Sequence, residues 1–82
     1  MTLNQIIEKL KMENAQSMEK HGKWKGRIDE HRQSEAIRNE FCEWYSAYVL
    51  NDINGEHGEI EELIDLMNVA ARRIMYLTGE DQ

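Results

Sequence analysis

The chain has 82 residues, of which 40% are hydrophobic and 32% are charged, and it contains no proline. A chain of this length forms one domain at most, so we expect a single helical domain over residues 1–82 whose small core needs a partner chain. The formal net charge of −6 argues against a nucleic-acid polymer or an anionic membrane as the main partner.

The composition favours an all-α protein, because the absence of proline and the mixture of apolar and charged residues fit neither a disordered tail nor a β-sandwich. The single cysteine, Cys42, excludes an intrachain disulfide and is expected to be a small buried side chain. The sequence shows neither a signal peptide pattern nor an apolar run long enough to span a bilayer, so a cytoplasmic location is expected.

The first helix is predicted over about residues 2–20. Thr2 and Gln5 have the spacing of a capping box, and an apolar period then follows from Leu3 to Leu10. Over residues 21–33 this period is lost and two glycines occur, which predicts a loop. The loop is rich in basic residues, and two interpretations stay open. It is either a solvated connector with Trp24 covering the core, or a segment that binds an anionic ligand and stacks Trp24 on a base.

The second helix is predicted over about residues 34–52 and the third over about 56–78, with Gly79 as its C-terminal cap. Ile37, Phe41, Trp44 and Tyr48 recur at helical spacing and predict the core stripe of the second helix. The turn sequence between the two helices predicts that they are antiparallel neighbours. We expect the chain to complete a four-helix-type bundle by self-association, since the third helix is apolar on two sides.

Two pairs of acids lie within these apolar helices. Glu40 and Glu43 are three residues apart on the second helix, and Glu62 and Asp65 are three apart on the third, so each pair shares a face. Buried carboxylates are costly unless a positive charge joins them, and oxygen ligands of this kind suit Mg²⁺. The competing interpretation is a solvated surface, because sixteen acids in 82 residues produce such pairs by chance.

The residues around these acids resemble a known family. Residues 39–43 (NEFCE) and 61–65 (EELID) are similar to the paired ExxE and ExxD motifs of the MazG-like, all-α nucleoside triphosphate pyrophosphohydrolases. The resemblance covers roughly residues 15–78, including the His-Gly-Lys-Trp segment at 21–24. It implies a helical fold that forms dimers or tetramers and uses Mg²⁺, or Mn²⁺ as a substitute. It further implies cleavage between the α and β phosphates, which gives the nucleoside monophosphate and pyrophosphate.

The resemblance also implies roles for particular residues. Glu40, Glu43, Glu62 and Asp65 would be the metal ligands, and Glu40 or Glu43 would orient or deprotonate the attacking water. Asn39 replaces a glutamate that many relatives carry. Contacts to phosphate and base would come from a second subunit or from the following residues: Lys23, Trp24, Lys25, Arg27, His31, Arg32, Asn68 and Arg72.

Two other functions remain open at the level of sequence. A non-catalytic helical module that binds a partner protein could retain the same fold. A phosphoribosyl-ATP pyrophosphohydrolase would keep the chemistry and change the substrate. Neither the base and sugar preference nor the choice between dimer and tetramer follows from the spacing of these residues.

Overall fold

The computed structural model describes residues 1–24 and 26–80, and over 26–29 it describes the backbone alone. These residues form three α-helices and no strand: α1 (Leu3–His21), α2 (Gly26–Val49) and α3 (Glu59–Leu77). The prediction of an all-α fold is confirmed. None of the described helices combines the length and the apolar character needed to cross a bilayer.

The first helix begins as its sequence predicts. The backbone N–H of Gln5 donates to Thr2 Oγ1 at 3.2 Å, and the N–H of Thr2 donates to Gln5 Oε1 at 2.8 Å. These two bonds are the reciprocal capping box, which satisfies donors at a helix start that have no partner within the helix. The helix ends at Gly22, whose φ of +72° lies in the left-handed region that favours glycine.

The second helix is longer at its start than predicted. A loop was expected over residues 21–33, but α2 begins at Gly26 and ends at Val49. The sequence of this segment shows no apolar period, because the side-chain contacts that hold it against α3 are polar. Arg73 of α3 donates to Gln33 Oε1 at 2.7 Å and pairs with Glu30 at 2.6 Å. A pattern search for apolar residues therefore missed a helical segment that charged side chains anchor.

Contacts along α3 define the topology. Trp44 near the end of α2 donates to Glu59 at the start of α3, whereas Gln33 near the start of α2 meets Arg73 near the end of α3, so these helices are antiparallel. The first helix runs parallel to α3, as the bonds Lys9 to Glu61, Asn14 to Asn68 and Arg72 to Ser17 follow both helices in the same direction. Among the described residues no Cα atom of α1 lies within 8 Å of a Cα atom of α2, and a cleft lies between the two helices.

Few apolar side chains are buried within the single chain. Among the described residues, the buried hydrophobic ones are Ala47 and Ile64. The predicted core stripe of α2 is wrong in part, because Phe41 and Tyr48 are about half exposed and lie against Trp44 at the surface. Cys42, expected to be buried, is exposed as well. The interior instead holds four polar side chains: Gln33, Glu62, Asn68 and Arg72.

Candidate metal centre

Three carboxylates from two helices converge on one point. Glu40 of α2 meets Glu62 and Asp65 of α3, and one oxygen of each lies within 4.8 Å of the other two. The i, i+3 spacing places Glu62 and Asp65 on one face of α3, and the antiparallel pairing brings Glu40 to the same level. These three predicted ligands are therefore close enough together to share an ion.

The fourth predicted ligand, Glu43, lies at the edge of this cluster. Its side chain is exposed, and after burial, which is the larger cause, its charge helps to raise the pKa of both Glu40 and Glu62. Glu43 and Glu62 line a recess of about 360 Å³ on the α2–α3 side of the molecule. The cluster thus opens to solvent through this recess as well as through the cleft.

Burial of the acids leaves polar atoms without partners. Glu62 is 3% exposed, and the Oε2 atoms of Glu40 and Glu62 have no hydrogen-bond partner among the described residues. An unsatisfied buried acceptor costs roughly 1–3 kcal/mol, and more when it carries a charge. Such atoms are what a cation would satisfy.

The electrostatic consequence is that the acids resist ionisation. Burial raises the pKa of Glu40 to about 7, with further contributions from the charges of Glu43 and Asp65. Burial likewise raises the pKa of Asp65 to about 7, assisted by a hydrogen bond and the charge of Glu13. The pKa of Glu62 is also raised, first by burial and then by Glu43. Like charges at close range disfavour one another, so these acids bind protons more tightly than separate carboxylates would, and a cation would compete with those protons.

The donor set fits Mg²⁺ in its chemistry. Carboxylate oxygens are the hard ligands that this ion takes, and opposite ligands of an octahedral Mg²⁺ are about 4.2 Å apart. The oxygens of Glu40, Glu62 and Asp65 lie within 4.8 Å of one another, which is close enough for side-chain movements to bring them around one ion. The same ligands would accept Mn²⁺.

Glu13 is a fifth acid that the sequence analysis missed. It comes from α1 and lines the cleft beside Asp65 and Glu40. After burial, Glu13 is the next cause of the raised pKa of Asp65. The apolar period of the first helix ends at Leu10, so this period could not predict which face residue 13 shares. A usable signal was the polar row at Glu13, Gln16 and Lys20. Its i, i+3, i+7 spacing matches the polar row on the third helix, which consists of Asp65, Asn68 and Arg72.

The cleft between α1 and α2 extends from this cluster over about 580 Å³, with α3 as its floor. Glu13, Glu40 and Asp65 line one end. Arg32 lies eight residues before Glu40 on α2, a helical rise of about 12 Å, and marks the other end. The basic side chains that line the cleft are Lys20, His21, Lys23, Arg32 and Arg72. The cleft therefore has an acidic end and a basic end.

The structure places some of the predicted substrate contacts in the cleft and others outside it. Lys23, Trp24, Asn68 and Arg72 line the cleft, as does Arg32. His31 does not, because it lies on the surface of α2, 3.1 Å from Glu35. Lys25 and the side chain of Arg27 lie outside the described residues.

Arg72 and Asn68 already have structural partners. Arg72 is 2% exposed, donates to Ser17 at 3.0 Å and to the carbonyl of Gly22, and lies over the Trp24 ring at 4.4 Å. Asn68 accepts a bond from Asn14 at 3.1 Å. The two residues therefore attach α1 and Trp24 to α3, and position the cleft wall as well as line it.

Comparison with protein-family models, with curated proteins and with solved structures finds no match to this chain.

Proposed function

We propose that this chain is a Mg²⁺-dependent nucleoside triphosphate pyrophosphohydrolase of the MazG-like type. The observation that carries the proposal is the convergence of buried acids with unpartnered oxygens at one end of a cleft whose other end is basic. A polyphosphate needs a cation where its charge is greatest, and acids that bind Mg²⁺ supply one. The resemblance of residues 39–43 and 61–65 to the family's motifs points the same way.

The reaction adds one water across the anhydride between the α and β phosphates and releases a nucleoside monophosphate and pyrophosphate. Bound Mg²⁺ would neutralise phosphoryl oxygens and lower the pKa of a water molecule. Glu40, Glu62 and Asp65 would hold the ion, with Glu43 at the edge. Glu40 lines the cleft and has an unpartnered Oε2, so it is the acid best placed to orient the attacking water.

The basic end would take the rest of the nucleotide. Lys20, Lys23 and Arg32 line the cleft there and can neutralise phosphate oxygens that the ion does not reach. Trp24 has the Arg72 guanidinium over its ring, which fixes the indole in the wall of the cleft. An indole held in this way can stack with a base.

Self-association is part of the proposal. Large apolar side chains of α3 are exposed in the single chain, among them Ile74 at 61% and Leu77 at 62%. Few apolar residues are buried, so a single chain has little hydrophobic stabilisation of its own. A second copy that covers these side chains would complete a four-helix-type core, as the resemblance implies.

A helical interaction module is the second candidate, and the exposed apolar surface favours it. That function gives no reason to bury Glu62 and to leave its Oε2 without a partner. The hydrolase accounts for both features, since it needs the acids for metal and the apolar surface for assembly.

The test is pyrophosphate release from a panel of ribo- and deoxyribonucleoside triphosphates and phosphoribosyl-ATP, with Mg²⁺ or Mn²⁺. We expect turnover of at least one substrate and a loss of at least about 100-fold in Glu40→Gln and in Asp65→Asn. Glu35→Gln is the matched control, because Glu35 is an exposed acid of α2 that pairs with His31. Folded wild-type protein that releases no pyrophosphate from any substrate would contradict the hydrolase and favour the module.

A further inference from the structure

His57 lies beside the buried acid cluster on a short, well-ordered connection. It directly precedes Gly58, the N-cap of α3. Asp52 holds the connection twice, since its Oδ1 accepts the Gly55 N–H at 2.9 Å and its carbonyl accepts the Glu59 N–H at 2.7 Å. A Cβ at Gly58 would lie 2.7 Å from the Gly55 backbone nitrogen, so the chain is closely packed here. The backbone therefore presents His57 from a fixed position.

The imidazole contacts one oxygen of the most buried acid. Nδ1 of His57 lies 3.5 Å from Oε1 of Glu62, although the His57 side chain is 85% exposed and that of Glu62 only 4%. The other oxygen, Glu62 Oε2, is buried without a hydrogen-bond partner among the described residues. The two oxygens of this carboxylate are thus in different environments, since Oε1 faces the His57 ring and Oε2 is buried without a hydrogen-bond partner among the described residues.

We propose that His57 is a positioning residue of the metal centre, which donates its Nδ1–H to Glu62 Oε1 and thereby directs Glu62 Oε2 at the cation. This inference rests on the metal site of the proposed function and adds to it a residue that no acid motif contains. Ligating carboxylates are commonly held by a hydrogen bond from outside the ligand set, and loss of such a partner typically weakens metal binding 10- to 100-fold. The Nδ1 atom carries a hydrogen in the imidazolium and in one neutral tautomer.

A direct metal–imidazole bond is the alternative that the test must separate. His57 lines the same recess as Glu43 and Glu62, so the ring itself could reach an ion there. An asparagine places its amide nitrogen close to the position of a histidine Nδ1 and remains a donor. It lacks the imidazole lone pair that binds a metal.

The experiment is titration of the full chain with Mn²⁺, followed by calorimetry and by the electron spin resonance of the free ion. We expect His57→Ala to weaken Mn²⁺ binding about 10-fold and His57→Asn to restore it to within about threefold of wild type. His31→Ala is the matched control and should bind as wild type, because His31 is also an exposed histidine beside a glutamate but lies away from the acids. The melting temperature of His31→Ala without metal should be that of the wild type, as this histidine is exposed.

Each failure has a distinct meaning. Wild-type protein that binds no Mn²⁺ overturns the metal centre and, with it, the role of His57. Unchanged affinity in His57→Ala, beside a wild type that binds, overturns only the role of His57. Equal losses in His57→Ala and His57→Asn also overturn the positioning role, because the imidazole would then be needed as a ligand.

Discussion

The two faces of α3 differ in a way that is opposite to the usual rule for a helix of a globular protein. One face carries Glu62, Asn68 and Arg72, which are 3%, 4% and 2% exposed. The other carries Leu63, Met67 and Ile74, of which Leu63 and Met67 are 38% exposed and Ile74 is 61% exposed. In an ordinary small domain the apolar face is buried and the charged face is solvated.

This inversion teaches that neither face is explained by the stability of one chain. Glu62 Oε2 on the polar face has no hydrogen-bond partner among the described residues, and exposed apolar surface gains nothing, so we infer that each face has a partner outside the chain. A cation and an anionic ligand would satisfy the polar face, and a second copy would satisfy the apolar face. The following predictions test these two assignments separately.

The largest effect is expected on the apolar face, in Ile74→Asp. Because Ile74 is 61% exposed, this change should alter the stability of an isolated chain by no more than about 0.5 kcal/mol. If a second copy covers the residue, a buried carboxylate should cost at least about 2 kcal/mol and dissociate the assembly. Light scattering gives the mass, and unfolding at several protein concentrations gives the stability.

Met12→Asp is the control for that variant, because Met12 is 63% exposed on α1 and loses an apolar side chain in the same way. It should keep the mass and the stability of the wild type. A monomeric wild type, with both variants equally stable, would contradict the assignment of the apolar face to self-association.

The next effect concerns the polar face, in Glu62→Gln. Wild-type protein should gain about 2.7 kcal/mol of stability at a Mn²⁺ concentration 100 times the dissociation constant, and the variant should lose most of this gain. Without metal the variant should be more stable than wild type by about 1 kcal/mol, since a neutral amide needs neither a proton nor a counter-charge when it is buried. Thermal unfolding with and without Mn²⁺ measures both effects.

Glu61→Gln is the control on the same helix. Glu61 is partly exposed and pairs with Lys9 at 2.8 Å, so its loss should cost only a few tenths of a kcal/mol and leave the metal effect intact. A Glu62→Gln variant that keeps the full stabilisation by Mn²⁺ would show that the ion binds elsewhere.

A smaller effect is expected from pH. Folding raises the pKa values of Glu40 and Asp65 to about 7 from ordinary values of 4.5 and 3.8, so the folded state binds more protons than the unfolded state between about pH 4 and 7. The free energy of unfolding without metal should therefore fall as pH rises through this range, by about 1 kcal/mol after allowance for solvent screening. Saturating Mn²⁺ keeps the acids ionised in the folded state and should reverse the sign. Denaturant unfolding at a series of pH values, with and without Mn²⁺, measures both dependences. The same dependence of the free energy of unfolding on pH in the two conditions would contradict the prediction.

Local signals in the sequence predicted part of this arrangement. The capping box of Thr2, the acid pairs at i, i+3 and the polar row on the third helix depend on residues within one or two turns of each other. The structure places Glu40, Glu62 and Asp65 together as expected. Whether they bind metal stays a prediction.

These local signals could not predict contacts between elements that are distant in the sequence. The start of α2 is held by Arg73, forty residues from Gln33, and Glu13 and His57 reach the acids from other elements. The apolar period of the second helix indicated a face that needs cover, but it could not say whether this chain or another supplies it. Phe41 and Tyr48 show the consequence, as they are exposed where burial was expected.

The smallest effect is expected at the bond that joins α1 to the polar face of α3. Ser17 accepts a bond from the buried Arg72 at 3.0 Å, and Ser17→Ala removes it. The cost should be about 1 kcal/mol, because Arg72 keeps its contacts with the carbonyl of Gly22 and with the Trp24 ring. Amide hydrogen exchange should become faster in α1 and stay unchanged in α2 and α3, while Mn²⁺ affinity remains that of the wild type.

Ser34→Ala is the matched control for this last variant, since Ser34 is an exposed serine on α2 and its loss should change stability by less than about 0.5 kcal/mol. Faster exchange in α1 alone would show that the polar face of α3 holds the first helix as well as the acids. Exchange that increases equally in all three helices would instead mean that α1 opens only with the whole chain. In that case α1 would not open separately from the other two helices. Its polar contacts with α3 would then be part of the core of the fold.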